Sequence, residues 1–265
     1  MEKVIIYVLT HKKFEEEYDK NLYKPLLNGS YFISENLNYI RDDTGENISK
    51  LNPYFAELTG EYWAWKNSDA DIIGFNHYRR WFVRNIKFDK LTKEDIINDL
   101  EKNDIILPQK SMLKQSVKNT IIKGFEENPD YGAKWEDYVK LGKIIKEDFP
   151  EYYDSYNKIM NGNKCYSNNM FICSFELADK YFSWLFNVLN KLEPEIDFTK
   201  YPEDNKRVFG FFSETLLTVF VEKHDLKVKE HYLNLTDRKA PIIHVLIRRF
   251  PIVRDIETLI AKIMP

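Results

Sequence analysis

The sequence predicts an α/β fold, a sheet of buried strands flanked by helices. Three observations carry that expectation. Near-continuous apolar runs of strand length occur at Lys3–Thr10 (KVIIYVLT), Ile72–Phe75 (IIGF) and Asp104–Pro108 (DIILP), the pattern of strands covered on both faces. Other segments place apolar residues at three- and four-residue spacing, the mark of helices with one buried face. Polar and cationic residues then follow the strand-like runs directly: Thr10-His11-Lys12 after the first, Asn76-His77-Tyr78-Arg79-Arg80 after the second. Ligands of open α/β sheets bind at such strand ends.

In chain order, Lys3–Thr10 is the first strand, and residues 13–38 read as irregular, with a charged patch from Glu15 to Asp19. Asp42-Asp43-Thr44-Gly45 is a turn signal. A helix follows, with Asn52 as N-cap, Pro53 in its first position, and Tyr54, Leu58, Tyr62 and Trp65 on one face. Ser68–Asp71 turns the chain into the IIGF strand. Residues 91–103 read as a helix capped by Thr92, and 104–108 as a strand. The lysine-bearing stretch 109–134 shows little periodicity and fits a basic lid or a surface loop. Helices are expected over 135–149, from Glu151 onward, and over Phe175–Leu192, with a strand at Cys165–Cys173 (CYSNNMFIC) between the last two. Finally, a Gly210-containing turn is expected to lead into TLLTVFVEKH, which places Glu214 early in a helix.

Composition excludes several classes. The 265 residues suffice for a sizeable core, and a net charge of −3 argues against a nucleic-acid binder. Aromatic content of 15% leans toward carbohydrate, although most rings will be core. Cys165 and Cys173 flank and sit in one strand-like segment, so buried thiols are expected rather than a disulfide or metal pair. No leader pattern and no run of about 18 apolar residues is visible, so a cytoplasmic location is expected. GxGxxG, P-loop, GxSxG and HExxH signatures are all absent. The segment 238–254 interleaves basic and apolar residues, which suggests contact with an anionic membrane surface or packing on the main domain.

Arg79 and Arg80 suit an anionic ligand, because the guanidinium fork matches phosphate bidentately; the same pair could serve structural ion pairs. Asn168 and Asn169 can donate and accept hydrogen bonds, as a hydroxyl-rich ligand requires, or simply form a turn.

The sequence resembles the DUF4422 family, bacterial capsular and exopolysaccharide glycosyltransferases. The matching segments are THK, RDDTGENIS, ELTGEYWAWKN, IIGFNHYRRWF, SNNMFI and RVFGFFSE, in order from the first strand to about residue 222. The resemblance implies a GT-A-like nucleotide-diphospho-sugar transferase fold, a Rossmann-like, mostly parallel sheet spanning residues 1–237, with 238–265 as an extension. It implies a UDP-sugar donor, with galactose or galactofuranose favoured, and a lipid-linked oligosaccharide acceptor, used from the inner face of the membrane. The donor residues it implies are Thr10, His11, Lys12, Arg41, Asp42, Asn76, His77, Tyr78, Arg79, Arg80 and Arg207. Trp63, Trp65, Lys66, Asn168 and Asn169 are implied for sugar or acceptor. Glu214 is the favoured catalytic base of an inverting reaction, with Asp42 and Asp43 as competitors. The chain departs from the metal-binding Asp-x-Asp of many such enzymes: its slot reads Asn76-His77-Tyr78. Asp69-Ala70-Asp71 has the spacing but precedes the strand. Either Arg79, Arg80 and Arg207 replace the ion, the favoured reading, or His77 ligates Mn²⁺ or Mg²⁺. A non-catalytic nucleotide- or glycan-binding module on the same fold is the rival.

Overall fold

The computed structural model describes residues 2–85, 88–128, 132–202 and 205–236. The extension 238–265, and with it the membrane-contact expectation for 238–254, lies outside the described residues.

Strand β1 (Val4–Thr10) is buried along its whole length. It pairs in parallel with β2 (Tyr23–Leu27) on one side and β4 (Ile72–His77) on the other, and β3 (Ile40–Arg41) extends the edge beyond β2. Strand β2 was hidden in sequence by Lys24 and Pro25, which interrupt the apolar run. From β4 the chain turns at Tyr78-Arg79 into β5 (Arg80–Val83), pairing His77 with Arg80. Strand β10 (Val228–Leu235) then lies antiparallel to β5 and parallel to β6 (Ile105–Pro108), and β9 (Ile172–Ser174) pairs antiparallel with both β6 and β4. The eight-stranded sheet therefore closes on itself through β4, β5, β10, β6 and β9. This corrects the expectation of a mostly parallel sheet: antiparallel pairs in it are as numerous as parallel ones, because β5 turns back beside β4 and pairs with β10, and β9 runs against both β4 and β6. Gly74 sits at the seam of this closure. A Cβ there would approach side-chain atoms of Ile172 and Ile6 at 2.7 Å, so only glycine lets the two neighbouring strands come so close.

Alternation along β1 feeds two cores. Ile5, Tyr7 and Leu9 join Ile73 and Phe75 under the main helical layer, while Val4, Ile6 and Val8 join Trp81, Phe82 and Leu233 on the other face. The main layer holds α1 (Asn52–Phe55), α2 (Leu58–Asn67), α4 (Val117–Glu127), α5 (Trp135–Asp148), α6 (Tyr153–Asn161), α7 (Phe175–Leu192) and α8 (Val208–Lys223); α3 (Lys93–Leu100) packs on the opposite core. Thr92 caps α3 through a reciprocal pair with Asp95, as its position suggested.

Helix boundaries differ from expectation at several places. The single helix expected from Asn52 breaks at Ala56, whose φ of 48° is left-handed, so that α1 and α2 diverge. The stretch 109–134 contains β7 (Ser111–Met112), paired with β8 (Lys164–Cys165), and then α4. Ser116 caps α4, and Ile121 and Phe125 reach the core, so the stretch is built structure rather than a loop throughout. The expected strand 165–173 divides into β8 and β9 because Asn168 and Asn169 both adopt left-handed φ, 76° and 49°. Helix α8 begins at Val208, so Gly210 is helical and Glu214 lies two turns in, not at its start. Cys165 and Cys173 form no disulfide. Among the described residues no helix is long and apolar enough to cross a membrane.

Candidate functional site

A cleft of about 720 Å³ opens where β1 and β4 end. Its floor is Leu9, Thr10, His11 and His77, and the β4–β5 hairpin contributes Tyr78, Arg79 and Arg80. The facing wall comes from α1, the α1–α2 corner and α8: Asn52, Pro53, Tyr54, Ala56 and Glu57 on one side, Lys206, Arg207, Gly210, Phe211 and Glu214 on the other. Asn28 and Asn168 complete the lining. Thus Thr10, His11, His77, Tyr78, Arg79, Arg80, Asn168, Arg207 and Glu214, scattered over two hundred residues of chain, face one space.

The cleft is strongly cationic on one side. Burial lowers the pKa of His11, and Lys12, Arg79 and Arg207 lower it further. Burial likewise pushes His77 down to about 3, with Arg80 and Arg79 adding to the effect. Arg80 Nη1 lies 3.3 Å from His77 Nδ1. A guanidinium can only donate, so Nδ1 accepts and the ring proton sits on Nε2. With Nδ1 turned to Arg80, His77 would have to change tautomer or give up that contact to ligate an ion. Among the described residues no group of three or more His, Cys, Asp or Glu side chains is placed to hold a metal. Arg207 packs its guanidinium 5.8 Å from the Phe211 ring centre.

Two carboxylates oppose these cations. Glu214 Oε1 accepts the backbone N–H of Asn168 at 2.8 Å, a bond that the left-handed Asn168 makes available. Glu57 Oε1 accepts from Asn169 Nδ2 at 2.8 Å, and the same amide donates to Gly210 O at 2.9 Å. Asn169 is thus buried behind the wall as a brace and does not line the cleft. A Cβ on Gly210 would sit 3.6 Å from both Glu57 oxygens, so the helix passes close beside that carboxylate. Glu57 is a site residue that the sequence reading passed over; its signal was its place at the head of the ELTGEYWAWKN segment. Asn28, Asn52, Tyr54, Lys206 and Phe211 were also missed, and nothing in their local pattern distinguishes them.

Several expected site residues lie elsewhere. Asp42 is fully buried, and its carboxylate accepts from Gly29 N and Ser30 N at 2.8 Å and from Ser49 Oγ and Thr59 Oγ1 at 2.6 Å. Every lone pair is committed, so Asp42 is neither a donor ligand nor a base. Asp43 is bound to Arg41, whose guanidinium also donates to Ser30 O and Ile33 O, which accounts for both as loop fasteners. Trp63 donates to Thr44, and Trp65 stacks on Phe186 and donates to Asp179. Lys66 lies 3.4 Å over the Trp65 ring. These three cover the C-terminal half of α2 and the α7 contact, away from the cleft. Asn76 faces the opposite core, fully buried, with neither amide atom hydrogen-bonded. Lys12 is exposed at the rim, 5.6 Å from the Tyr78 ring centre.

Closed sheet, strand-end cleft and cation-rich hairpin together define an α/β domain with its charged cleft at the strand ends. The chain belongs to the family described as Domain of unknown function (DUF4422), whose model matches residues 5–225. A comparison with curated proteins returns no significant match. Among solved structures, the chain is similar to one described as the apo form of WbbM, a bifunctional glycosyltransferase, with a TM-score of 0.79 and 29% identity. The match covers 89% of this chain and 46% of that one, so the chain spans about half of that protein's length and shares the fold of the matching part.

Proposed function

We propose that the protein is a glycosyltransferase of GT-A type that moves a hexose from a UDP-sugar to a hydroxyl of a glycan acceptor. The observation that carries this reading is the juxtaposition of Arg79, Arg80, Lys206 and Arg207 with Glu57 and Glu214 around one strand-end cleft. Similarity to the bifunctional glycosyltransferase supports the reaction class. The uridine nucleotide, galactose or galactofuranose as the sugar, and a lipid-linked acceptor of surface-polysaccharide synthesis follow from the family resemblance.

In this reaction the acceptor O–H loses its proton to the Glu214 carboxylate as its oxygen bonds to the anomeric carbon. The bond from that carbon to the β-phosphate oxygen breaks, and UDP leaves with the electron pair. Arginine side chains stabilise the charge growing on the diphosphate, as fixed donors do best in a dry, preorganised site. Attack opposite the leaving group inverts the anomeric centre. Glu214 is favoured as base because a backbone N–H fixes its orientation at the cleft wall.

Calorimetry with UDP and an assay of UDP release from UDP-galactose test the proposal together. Wild type should bind UDP and release it from the donor. Glu214→Gln should retain binding and lose turnover, whereas Glu57→Gln should retain turnover. Absence of UDP binding by wild type would refute the reading, and binding without release would favour the non-catalytic module.

A further inference from the structure

We propose that Tyr31 and Phe32 form an aromatic platform at the mouth of the cleft on which a sugar ring of the acceptor stacks; this rests on the glycosyltransferase reading above. The two rings are 55% and 59% exposed, and they stand at right angles with centres 5.1 Å apart. Most other large apolar side chains in the described residues are buried or half-buried. Two neighbouring aromatics held in water call for a partner.

The loop that carries them is tightly constrained. Gly29 is left-handed, with φ of 65°, and a Cβ there would meet Asn52 Oδ1 at 2.5 Å. The following short helical turn, Ser30–Phe32, is tied by its first backbone N–H groups to the buried Asp42 carboxylate. Ser49 Oγ accepts the N–H of Tyr31 itself, and Arg41 clasps the carbonyls of Ser30 and Ile33. Arg41, Asp42 and Ser49 of the RDDTGENIS segment, none of which lines the cleft, therefore fix the backbone beneath these two rings. Such preorganisation favours binding because little freedom remains to be lost.

Position and surroundings favour carbohydrate as the occupant. Asn28 and Asn52 line the cleft, and Gly29, next in the chain after Asn28, packs against Asn52, so the loop that carries the rings starts from the cleft wall. Exposed Ser34, Glu35, Asn36 and Asn38 follow the rings in the chain and supply hydrogen-bonding groups, as a hydroxyl-rich ligand needs. The Lys50 ammonium covers part of the Tyr31 ring at 4.9 Å, and Glu35 is nearby in sequence, so the patch lacks the basic excess that an anionic membrane would require.

The test uses the full chain and the variant Y31A/F32A, whose truncated side chains are exposed and leave the Asp42 cage intact. Binding of lactose, cellobiose and maltose is read by saturation-transfer NMR in the presence of UDP, with UDP affinity and thermal midpoint measured on the same samples. At least one disaccharide should bind wild type, and the double variant should bind it about tenfold or more weaker, as the loss of about 1.4 kcal/mol of ring contact implies. Its UDP affinity and thermal midpoint should be unchanged. Equal sugar affinity in the two proteins, or no binding of any disaccharide, overturns the proposal. So does binding to vesicles of phosphatidylcholine and phosphatidylglycerol that wild type shows and the variant lacks. Failure of wild type to bind UDP would instead strike the nucleotide reading, which the calorimetric arm reports separately.

Discussion

Replacing Asp42 separates a structural carboxylate from a catalytic one. In Asp42→Ala the four hydrogen bonds to the carboxylate disappear. Thr59 can redirect its hydroxyl to Ala56 O, which lies 3.2 Å away. The N–H groups of Gly29 and Ser30 and the hydroxyl of Ser49 have no such second acceptor among the described residues. Each stranded buried donor costs about 1–3 kcal/mol, so the sum reaches the exceptional end of the single-substitution range, about 4–5 kcal/mol or more. Asp42→Asn is the sharper test. Its one oxygen can serve either Gly29 or Ser30, and the amide NH₂ must then face the other N–H donor head-on. About 2–4 kcal/mol should be lost, with the side-chain volume unchanged. Urea unfolding followed by circular dichroism at neutral pH gives the difference directly. An Asp42→Asn protein within about 0.5 kcal/mol of wild type would refute the cage argument. Wild-type stability with lost transfer would do so more forcefully, since it would return Asp42 to the chemistry.

Two further outcomes follow from the buried charges. Glu61 is 1% exposed with no hydrogen bond to either oxygen, and burial first, then Glu57, raises its pKa well above the ordinary value. The folded protein therefore holds this proton to higher pH than the unfolded chain. Its stability falls as pH rises from the unfolded carboxyl value toward the folded one, and the loss is complete above the latter. Glu61→Gln should remove that loss, so its advantage in thermal midpoint over wild type should grow between pH 5 and pH 8; a constant difference would contradict it. At the cleft, Arg207→Ala should weaken UDP binding about 10- to 100-fold in calorimetry, from about 1.5–3 kcal/mol for a charge-assisted hydrogen bond. An unchanged affinity would place the diphosphate elsewhere.

Much of this architecture is legible in the sequence wherever the pattern is continuous. KVIIYVLT, IIGF and DIILP show themselves as strands because both faces are covered, and Phe175–Leu192 shows its apolar stripe. Strands β2 and β10 do not, since Lys24 and Pro25 interrupt one and charged residues run through the other. The site divides the same way. Residues at strand ends, such as His11, His77 and Arg79, are gathered into the cleft because topology sends all such ends to one edge. Asp42 and Trp65 mislead because a saturated carboxylate and a packed indole have the same letters as reactive or ligand-binding ones. Glu57 escapes notice because its role depends on Asn169, which lies 112 residues away and reaches it only in the folded chain.

The neutrality of the cleft histidines bears on how a diphosphate would be held. With His77 pushed down to about 3 and His11 also lowered, neither ring carries charge near neutral pH. Positive charge at the cleft then comes from Arg79, Arg80, Lys206 and Arg207. Burial of His77 has a second consequence, because its unprotonated Nδ1 accepts from Arg80 and orients that guanidinium, which a charged imidazole would repel. A cleft charged in this way should bind UDP with nearly constant affinity between about pH 7.5 and pH 8.5, where the ligand's terminal phosphate is almost wholly ionised. It should also lose folding stability on acidification below about 6.5, as the unfolded chain takes up the proton that buried His77 refuses. His77→Gln should flatten that acid-side loss while weakening UDP binding through a misplaced Arg80. A UDP affinity that falls steeply from about pH 7.5 to pH 8.5 would mean that a titrating histidine, and not the arginines, supplies the charge.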